Sequence, residues 1–340
     1  MTTWEQKRDS SPLRGPLAPY DGLLRVTPGF PGTCQGRVHS VFHRVVNVEM
    51  QSEGDRRLLV LAAPQVPALP DSICLPPQLL PTFQVGQEVT LDGQLLSWQN
   101  TAVRLRTDSH FSGKLDRQEG QPCLKKLTAC TTQLHSGFDR LPAPLRYRAE
   151  QALLEGRWQA FLGLGSGLTP SFDDACVGMA AIYTATGRSL PPLEDLSVTT
   201  DVSARYLRLA QRGYFGEPLL ALIHALWKNH AGIPAAAQAL EAVGASSGSD
   251  MIYGVRLALA HGSRFLDPVP RSTLLCIHHR LLPGMETGAF DTAKQGVSAA
   301  QDWGAAADKT GGTARAFFSG AAALWRKEEN LLAMPVHCGS

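Results

Sequence analysis

A glycine-rich stretch followed by two aspartates is the part of this 340-residue chain best suited to chemistry. Residues 163–174 read Gly-Leu-Gly-Ser-Gly-Leu-Thr-Pro-Ser-Phe-Asp-Asp and run into the apolar segment 175–185. Glycine has no Cβ and adopts positive φ without strain, so three alternate glycines let the backbone turn sharply and present its N–H groups outwards. We predict a loop that cradles a phosphate or carboxylate group.

The loop should end at the N-terminus of a helix. Thr169 and Ser171 can accept the free N–H groups of a first helical turn, and proline is tolerated at a helix start. The positive end of the helix dipole adds to the attraction for an anion. The candidate substrate- or phosphate-binding residues are Gly163, Gly165, Ser166, Gly167, Leu168, Thr169 and Ser171.

Asp173 and Asp174 complicate anion binding, because both lie in the first turn of this helix. Two unit charges about 4 Å apart repel by roughly 4 kcal/mol at an effective dielectric near 20. An anion close to both carboxylates would need a cation between them, and Mg²⁺ prefers such oxygen ligands. We therefore predict Asp173 and Asp174 as ligands of Mg²⁺, with no other cofactor indicated. A ligand-free alternative exists, because Ser171-x-x-Asp174 also matches the capping box, a structural motif.

The same pattern occurs twice in the chain. Ser-x-x-Asp-x-x-x-Gly spans 171–178 and again 247–254, and small residues follow at helical spacing in both cases. Glycine inside a helix costs about 1 kcal/mol relative to alanine, which close packing of two backbones would explain. We predict that the two helices pack together and gather Asp173, Asp174 and Asp250 as candidate catalytic residues. The second helix start adds the candidate binding residues Ser247, Gly248 and Ser249.

Composition excludes several classes of protein. Apolar residues make up 44% of the chain and charged residues 18%, which is typical of a packed protein. The net charge of +2 provides no field that would attract nucleic acid, so we expect no nucleic-acid partner. No signal peptide or membrane span is evident, so we expect a cytoplasmic protein without a membrane partner. The seven scattered cysteines lack a C-x-x-C pair, which favours reduced thiols.

The periodicity of the sequence changes along the chain. Residues 1–32 contain several prolines and glycines, and their apolar residues do not recur at helix or strand spacing. They are predicted to be a mobile N-terminal arm. Residues 33–115 contain short β-rich runs between turn signals, typical of a small antiparallel β-sandwich or barrel. Residues 116–265 are predicted as a mainly α-helical domain that contains the glycine-rich loop, and 266–340 as a C-terminal helical extension. The predicted fold class is α+β.

The motifs together resemble the AllH family, the third subunit of oxamate carbamoyltransferase. The glycine-rich run, the Ala/Gly helix after it and the later Ser-Gly-x-Asp helix carry the resemblance, and residues 36–42 and 200–217 extend it over about 35–262. The family typically has Gly-Pro-Gly where this chain has Gly-Ser-Gly at 165–167, and glycine where it has Phe172. The bulk of Phe172 predicts a narrower or differently shaped pocket beside the aspartates.

The resemblance implies a function in a multi-subunit enzyme of purine and allantoin catabolism. That enzyme converts oxalurate and phosphate into oxamate and carbamoyl phosphate. The implied partners are the other transferase subunits and a small anionic substrate, namely phosphate, carbamoyl phosphate, oxamate or oxalurate. Such a reaction requires an anion cradle, donors for a developing oxyanion and a charge clamp. The alternatives are a non-catalytic scaffold subunit and a module that binds a small anionic metabolite without turnover.

Other candidate sites are weaker. The glycine spacing at 163–167 does not fit a dinucleotide-binding fingerprint, and a phosphate-binding loop of the Walker type lacks its lysine. His39 and Ser40 are of the residue types that serve as base and nucleophile, but adjacent residues of a strand point to opposite faces, so we expect no contact between them. Cys176 is expected to be a small buried hydrophobe. The short basic run 278–280 is expected to be solvated surface.

Overall fold

The computed structural model describes residues 17–52, 55–108 and 110–262. Within these ranges the chain forms a closed β-barrel followed by a helical region. The predicted α+β class is therefore confirmed, and the N-terminal sheet is a barrel. The predicted C-terminal helical extension and the basic run 278–280 lie outside the described residues, as does the first half of the predicted N-terminal arm.

The barrel closes in the order β1-β5-β4-β3-β2-β6-β7-β8, with β8 pairing back onto β1. Most neighbouring strands are antiparallel, whereas β1 pairs with β8 and β4 with β5 in parallel. The strands in the described residues are β1 Leu17–Arg25, β2 Thr33–Val41, β3 Val45–Ser52, β4 Asp55–Ala62, β5 Ser72–Cys74, β6 Glu88–Asp92, β7 Leu95–Trp98 and β8 Thr101–Thr107.

Strand β1 lies inside the segment for which the sequence suggested a mobile arm. Leu23 pairs with Cys74 of β5 on one side and with Arg106 of β8 on the other. Both partners are distant in the sequence, so the local pattern of prolines and glycines gives no sign of this strand. The pairing of β1 with two strands closes the barrel.

Strand β4 is buried on both faces. Leu59 and Leu61 point into the barrel core, while Leu58 and Val60, which alternate with them, are also buried. Alternate residues of a strand face opposite sides, so a continuous apolar run indicates a strand that is covered on both. The outer cover comes from the helical region, through the helix Asp201–Gln211.

The helical region begins after residue 123 and has its own hydrophobic core. Its α-helices within the described residues are α1 Leu124–Cys130, α2 Ala143–Leu154, α3 Ser171–Thr186, α4 Asp201–Gln211, α5 Glu217–Lys228, α6 Ile233–Glu241 and α7 Ser247–Gly262. Short 3-10 turns lie at Pro77–Thr82, Gly137–Arg140, Trp158–Phe161 and His230–Gly232. No helix among the described residues is both long and apolar enough to cross a membrane.

Helices α3 and α7 pack backbone to backbone, as the sequence predicted. A Cβ added at Gly178 would lie 2.0 Å from the carbonyl oxygen of Met251, and one at Gly254 would lie 2.0 Å from that of Ala175. Each helix thus contributes one glycine to a reciprocal contact that any side chain would prevent. The repeated Ser-x-x-Asp-x-x-x-Gly pattern encodes this helix pair.

A buried arginine joins the helical region to the barrel. Arg205 of α4 is 4% exposed, and its guanidinium donates hydrogen bonds to the carbonyl oxygens of Leu58 (2.9 Å), Asp71 (3.0 Å) and Pro70. A second link runs from α5, where Glu217 exchanges two hydrogen bonds of 2.9 Å with the backbone of Ala68. Arg205 therefore fixes helix α4 against the middle of β4 and against the segment directly before β5.

Replacing Gly254 by alanine should destabilise the protein. Alanine is a better helix former by about 1 kcal/mol, so an open position would gain stability. The clash with Ala175 should instead produce a net loss of roughly 2 kcal/mol. Urea unfolding followed by circular dichroism measures the difference, and a gain in stability would contradict the close packing.

Replacing Arg205 by methionine should cost roughly 2–4 kcal/mol, because buried carbonyl groups lose their hydrogen-bond donors. Arg208, which lies on the same helix and is exposed, provides the matched control. Arg208→Met should change the free energy of unfolding by less than about 0.5 kcal/mol. Equal losses in the two variants would show that the contacts of Arg205 with the barrel do not stabilise the fold.

Candidate functional site

The glycine-rich loop turns tightly before α3. Gly165 has φ of +133°, and a Cβ there would lie 2.3 Å from the backbone nitrogen of Ser171. The N–H of Phe172 donates to the carbonyl of Leu164 over 3.0 Å and closes the loop. Helix α3 begins at Ser171 with Pro170 at the N-cap, and no side chain caps it. The capping-box interpretation is therefore wrong, because Ser171 is already inside the helix.

The backbone amide groups of the loop are the part of the candidate site that could bind an anion. The backbone N–H groups of residues 165–169 donate no hydrogen bond within the described part of the chain. Residues 166–168 are exposed, and residues 165 and 169 are half-buried. Unpaired N–H groups at the surface are able to bind an anion, and they lie directly before a helix of 16 residues.

Two further helix starts contact the loop. Thr200 is the N-cap of α4, since its Oγ1 accepts from the N–H of Ser203 at 3.0 Å, and the same hydroxyl donates to the carbonyl of Leu168. At the start of α7, Ser247 Oγ lies 2.7 Å from Thr169 Oγ1. The positive ends of α3, α4 and α7 thus meet beside the loop, and each adds to the attraction for negative charge.

Asp173 supports the loop from behind. It is fully buried, and its Oδ1 accepts a hydrogen bond of 2.8 Å from the N–H of Gly163. Its Oδ2 accepts from the hydroxyl groups of Thr199 and, at 2.7 Å, Ser203. Burial raises the pKa of Asp173, and these three hydrogen bonds oppose the shift. The carboxylate therefore ties the first glycine of the loop to the start of α4.

Asp174 and Asp250 form a buried acidic pair between α3 and α7. They are 1% and 0% exposed, and the Oδ2 atom of each lacks a hydrogen-bond partner among the described residues. Burial raises the pKa of Asp174 well above its usual value, and the charge of Asp250 raises it further, while the hydroxyls of Ser247 and Thr169 oppose the shift. Such a pair is poised to hold a proton rather than two negative charges.

Asp250 also binds a segment that the sequence analysis did not single out. Its Oδ1 accepts hydrogen bonds from Ser136 Oγ (2.6 Å) and from the N–H of Gly137 (2.7 Å). A Cβ at Gly137 would lie 1.9 Å from Ser171 Oγ, so only glycine fits beside the start of α3. Burial raises the pKa of Asp250, and the hydrogen bond from Ser136 opposes the shift most strongly.

The three aspartates therefore divide into two groups. Asp173 faces the start of α4, whereas Asp174 and Asp250 interact with each other and with the start of α7. Across the described residues, no group of three or more His, Cys, Asp or Glu side chains is placed to hold a metal ion. Both oxygens of Asp173 are engaged in hydrogen bonds, which favours a positioning role for this residue over the predicted binding of Mg²⁺.

Several neighbouring residues have structural roles. A Cβ on Gly248 would lie 1.7 Å from the carbonyl oxygen of Leu240, so this glycine packs against α6 rather than the loop. Ser249 is buried. Phe172 is fully buried in the helical core near Phe138 and Phe161, so its side chain fills the core. Cys176 is also fully buried, and burial raises the pKa of its thiol, which keeps it protonated.

His39 and Ser40 are in contact, contrary to the sequence prediction. His39 Nδ1 lies 3.2 Å from Ser40 Oγ. The register of β2 against β3 shifts between Val38 and Ser40, and such a bulge breaks the alternation of side chains on which the prediction relied. His39 Nε2 also lies 3.8 Å from Asp201 Oδ2, at the first residue of α4.

The fold and the site define an α+β protein with a candidate anion site at three helix starts. Residues 161–259 match the family model AllH, described as oxamate carbamoyltransferase subunit AllH, and residues 24–111 match the AllH family N-terminal domain. The two matches cover more than half of the chain, which therefore belongs to the AllH family. No solved structure matches the chain significantly.

Replacing Asp174 by asparagine should stabilise the protein at neutral pH. The pKa of Asp174 is higher in the folded state than in the unfolded state, so the folded protein binds the proton more tightly. Ionisation therefore costs stability as the pH rises from about 4 through the folded-state pKa. Asparagine removes this cost, so its advantage in melting temperature should be largest at pH 8 and shrink towards pH 4.

Asp195→Asn is the control for this measurement, because Asp195 is exposed and hydrogen bonds from Ser197 lower its pKa. Asp195→Asn should give no gain at pH 8. A lower melting temperature of Asp174→Asn at pH 8 would contradict the argument and show that the folded protein favours the charged form. Repeating both series with Mg²⁺ tests the metal prediction, since a bound cation would stabilise only the chain that retains the carboxylate.

Proposed function

We propose that this chain is a subunit of a carbamoyltransferase and binds the anionic group of a substrate at the glycine-rich loop. The reaction in view is the conversion of oxalurate and phosphate into oxamate and carbamoyl phosphate. Membership of the AllH family supports the role as a subunit. The unpaired N–H groups of residues 165–169 are the observation that carries the anion site.

The loop suits an anion better than a neutral ligand. Phosphate and carboxylate oxygens accept hydrogen bonds from several N–H groups at once. The three helix starts add partial positive charge beside the loop. Leu168 is 39% exposed at the tip, so the loop is reachable from solvent. The same N–H groups would stabilise negative charge that develops on a carbamoyl oxygen during transfer.

The buried aspartates act in this proposal by holding the loop. Asp173 fixes Gly163, while Asp174 and Asp250 hold the starts of α3 and α7 together. Their carboxyl groups lie behind the loop and are not exposed, so a bound anion would meet the N–H groups first. This arrangement reduces the repulsion that the sequence alone suggested between the acids and a phosphate.

Binding of small anions to the full chain tests the proposal. Isothermal titration calorimetry and thermal shift with phosphate, carbamoyl phosphate and oxamate should each be measured at low ionic strength. Gly167 has φ of +91° and open space around its Cβ position, so alanine there strains the loop by roughly 1–2 kcal/mol without a clash. We expect Gly167→Ala to weaken anion binding at least 10-fold, because the loop relaxes and its N–H groups turn away.

Gly86→Ala provides the matched control. Gly86 lies in a barrel turn with φ of +82° and also has open space at its Cβ position. The two variants should lose similar stability, but Gly86→Ala should bind phosphate as the unmodified chain does. Absence of a response to all three anions in the unmodified chain, or equal affinities of the two variants, would refute the proposed anion site.

A further inference from the structure

We infer that His39, a barrel residue, belongs to the site as a proton-transfer residue. This inference rests on the proposed function, because it concerns the reaction at the glycine-rich loop. The sequence patterns assigned every residue of the predicted anion site to the helical region, and His39 was considered only as a partner of Ser40. In the structure, the side chain of His39 lies near Asp201, the first residue of α4. Asp201 directly follows Thr200, whose hydroxyl donates a hydrogen bond to the loop.

A β-bulge presents the imidazole of His39. The register shift between Val38 and Ser40 places one extra residue in β2, and bulges commonly redirect a side chain beside a functional site. Asn47 of β3 is 4% exposed and donates a hydrogen bond of 2.9 Å to Ser40 Oγ. Ser40 in turn holds His39 Nδ1 at 3.2 Å. The imidazole ring is therefore held by side chains of two barrel strands, β2 and β3.

The other ring nitrogen faces the helical region. Asp201 Oδ2 lies 3.8 Å from His39 Nε2, which is longer than a hydrogen bond. Among the described residues, Nε2 therefore has no partner within hydrogen-bond distance and can contact a bound molecule. The side chain of His39 is 30% exposed, so a bound molecule can reach it.

The position of His39 relative to the loop fits a small substrate held at both ends. Thr200 precedes Asp201 and donates to the carbonyl of Leu168 at the tip of the loop. His39 and the loop therefore contact two consecutive residues, Asp201 and Thr200, at the start of the same helix. In this proposal the loop holds the anionic group, and the reacting part of the molecule contacts His39.

Carbamoyl transfer from oxalurate to phosphate requires a proton donor for the leaving nitrogen. The bond between the carbamoyl carbon and the amide nitrogen of oxalurate breaks, and a bond forms between that carbon and a phosphate oxygen. The leaving nitrogen takes up the Nε2 proton of the imidazolium and departs as the neutral amide of oxamate. The phosphate gives up its proton as its oxygen bonds to the carbamoyl carbon, and this proton restores the imidazolium. Histidine suits this role because its ordinary pKa lies near neutrality.

The test uses the full chain in complex with the other transferase subunits. His39→Gln keeps a polar side chain beside Ser40 but cannot transfer a proton. We expect kcat for the reaction of oxalurate with phosphate to fall at least 50-fold, while the affinity for phosphate stays within twofold. The limb of the pH–rate profile at high pH, where the imidazolium loses its proton, should disappear. His43→Gln, an exposed histidine just after β2, is the control and should match the unmodified complex.

Two results would overturn the inference while leaving the proposed function intact. One is a kcat of His39→Gln within threefold of the unmodified complex. The other is an equal loss of kcat and phosphate affinity, which would assign His39 to binding or folding. An unmodified complex that neither binds phosphate nor consumes oxalurate would instead refute the proposed function itself.

Discussion

The contact between the backbones of α3 and α7 is the constraint on which the site depends. Gly178 and Gly254 let the two helices approach so closely that each places a carbonyl oxygen where a Cβ would stand. This approach sets the two helix starts side by side and brings Asp174 against Asp250. The loop before α3 is then held at the hydroxyl of Ser247. Without the glycines, neither the acidic pair nor the loop would have this geometry.

Burial of three carboxyl groups makes this part of the fold electrostatically costly. An isolated buried carboxylate is strongly unfavourable, and hydrogen bonds or protonation must compensate it. Asp173 receives three hydrogen bonds, so its charge is well satisfied. Asp174 and Asp250 each retain one oxygen without a partner in the described chain. Perturbed carboxyl groups cluster at functional sites more often than elsewhere, which agrees with the proposed role of the loop beside them.

The sequence revealed those features that local pattern determines. Glycine at 178 and 254 is costly inside a helix, so its repetition signalled the helix pair, and the start of a helix directly after the loop was predicted correctly. The start of α4 and the segment at Ser136 were missed as parts of the site, because only tertiary packing brings them to the loop. The contact of His39 with Ser40 was missed since a bulge depends on the register between two strands, which alternation alone does not specify.

The parallel pairing of β1 with β8 has a consequence for how the chain folds during synthesis. Leu23 pairs with Arg106, so β1 has no partner on that side of the barrel until β8 has left the ribosome. Contacts between such distant residues slow folding, because a long loop must close before they form. Until then β1 exposes an unpaired edge, to which another nascent chain can add a strand. The barrel therefore cannot close, and this edge of β1 stays open, until β8 has been synthesised.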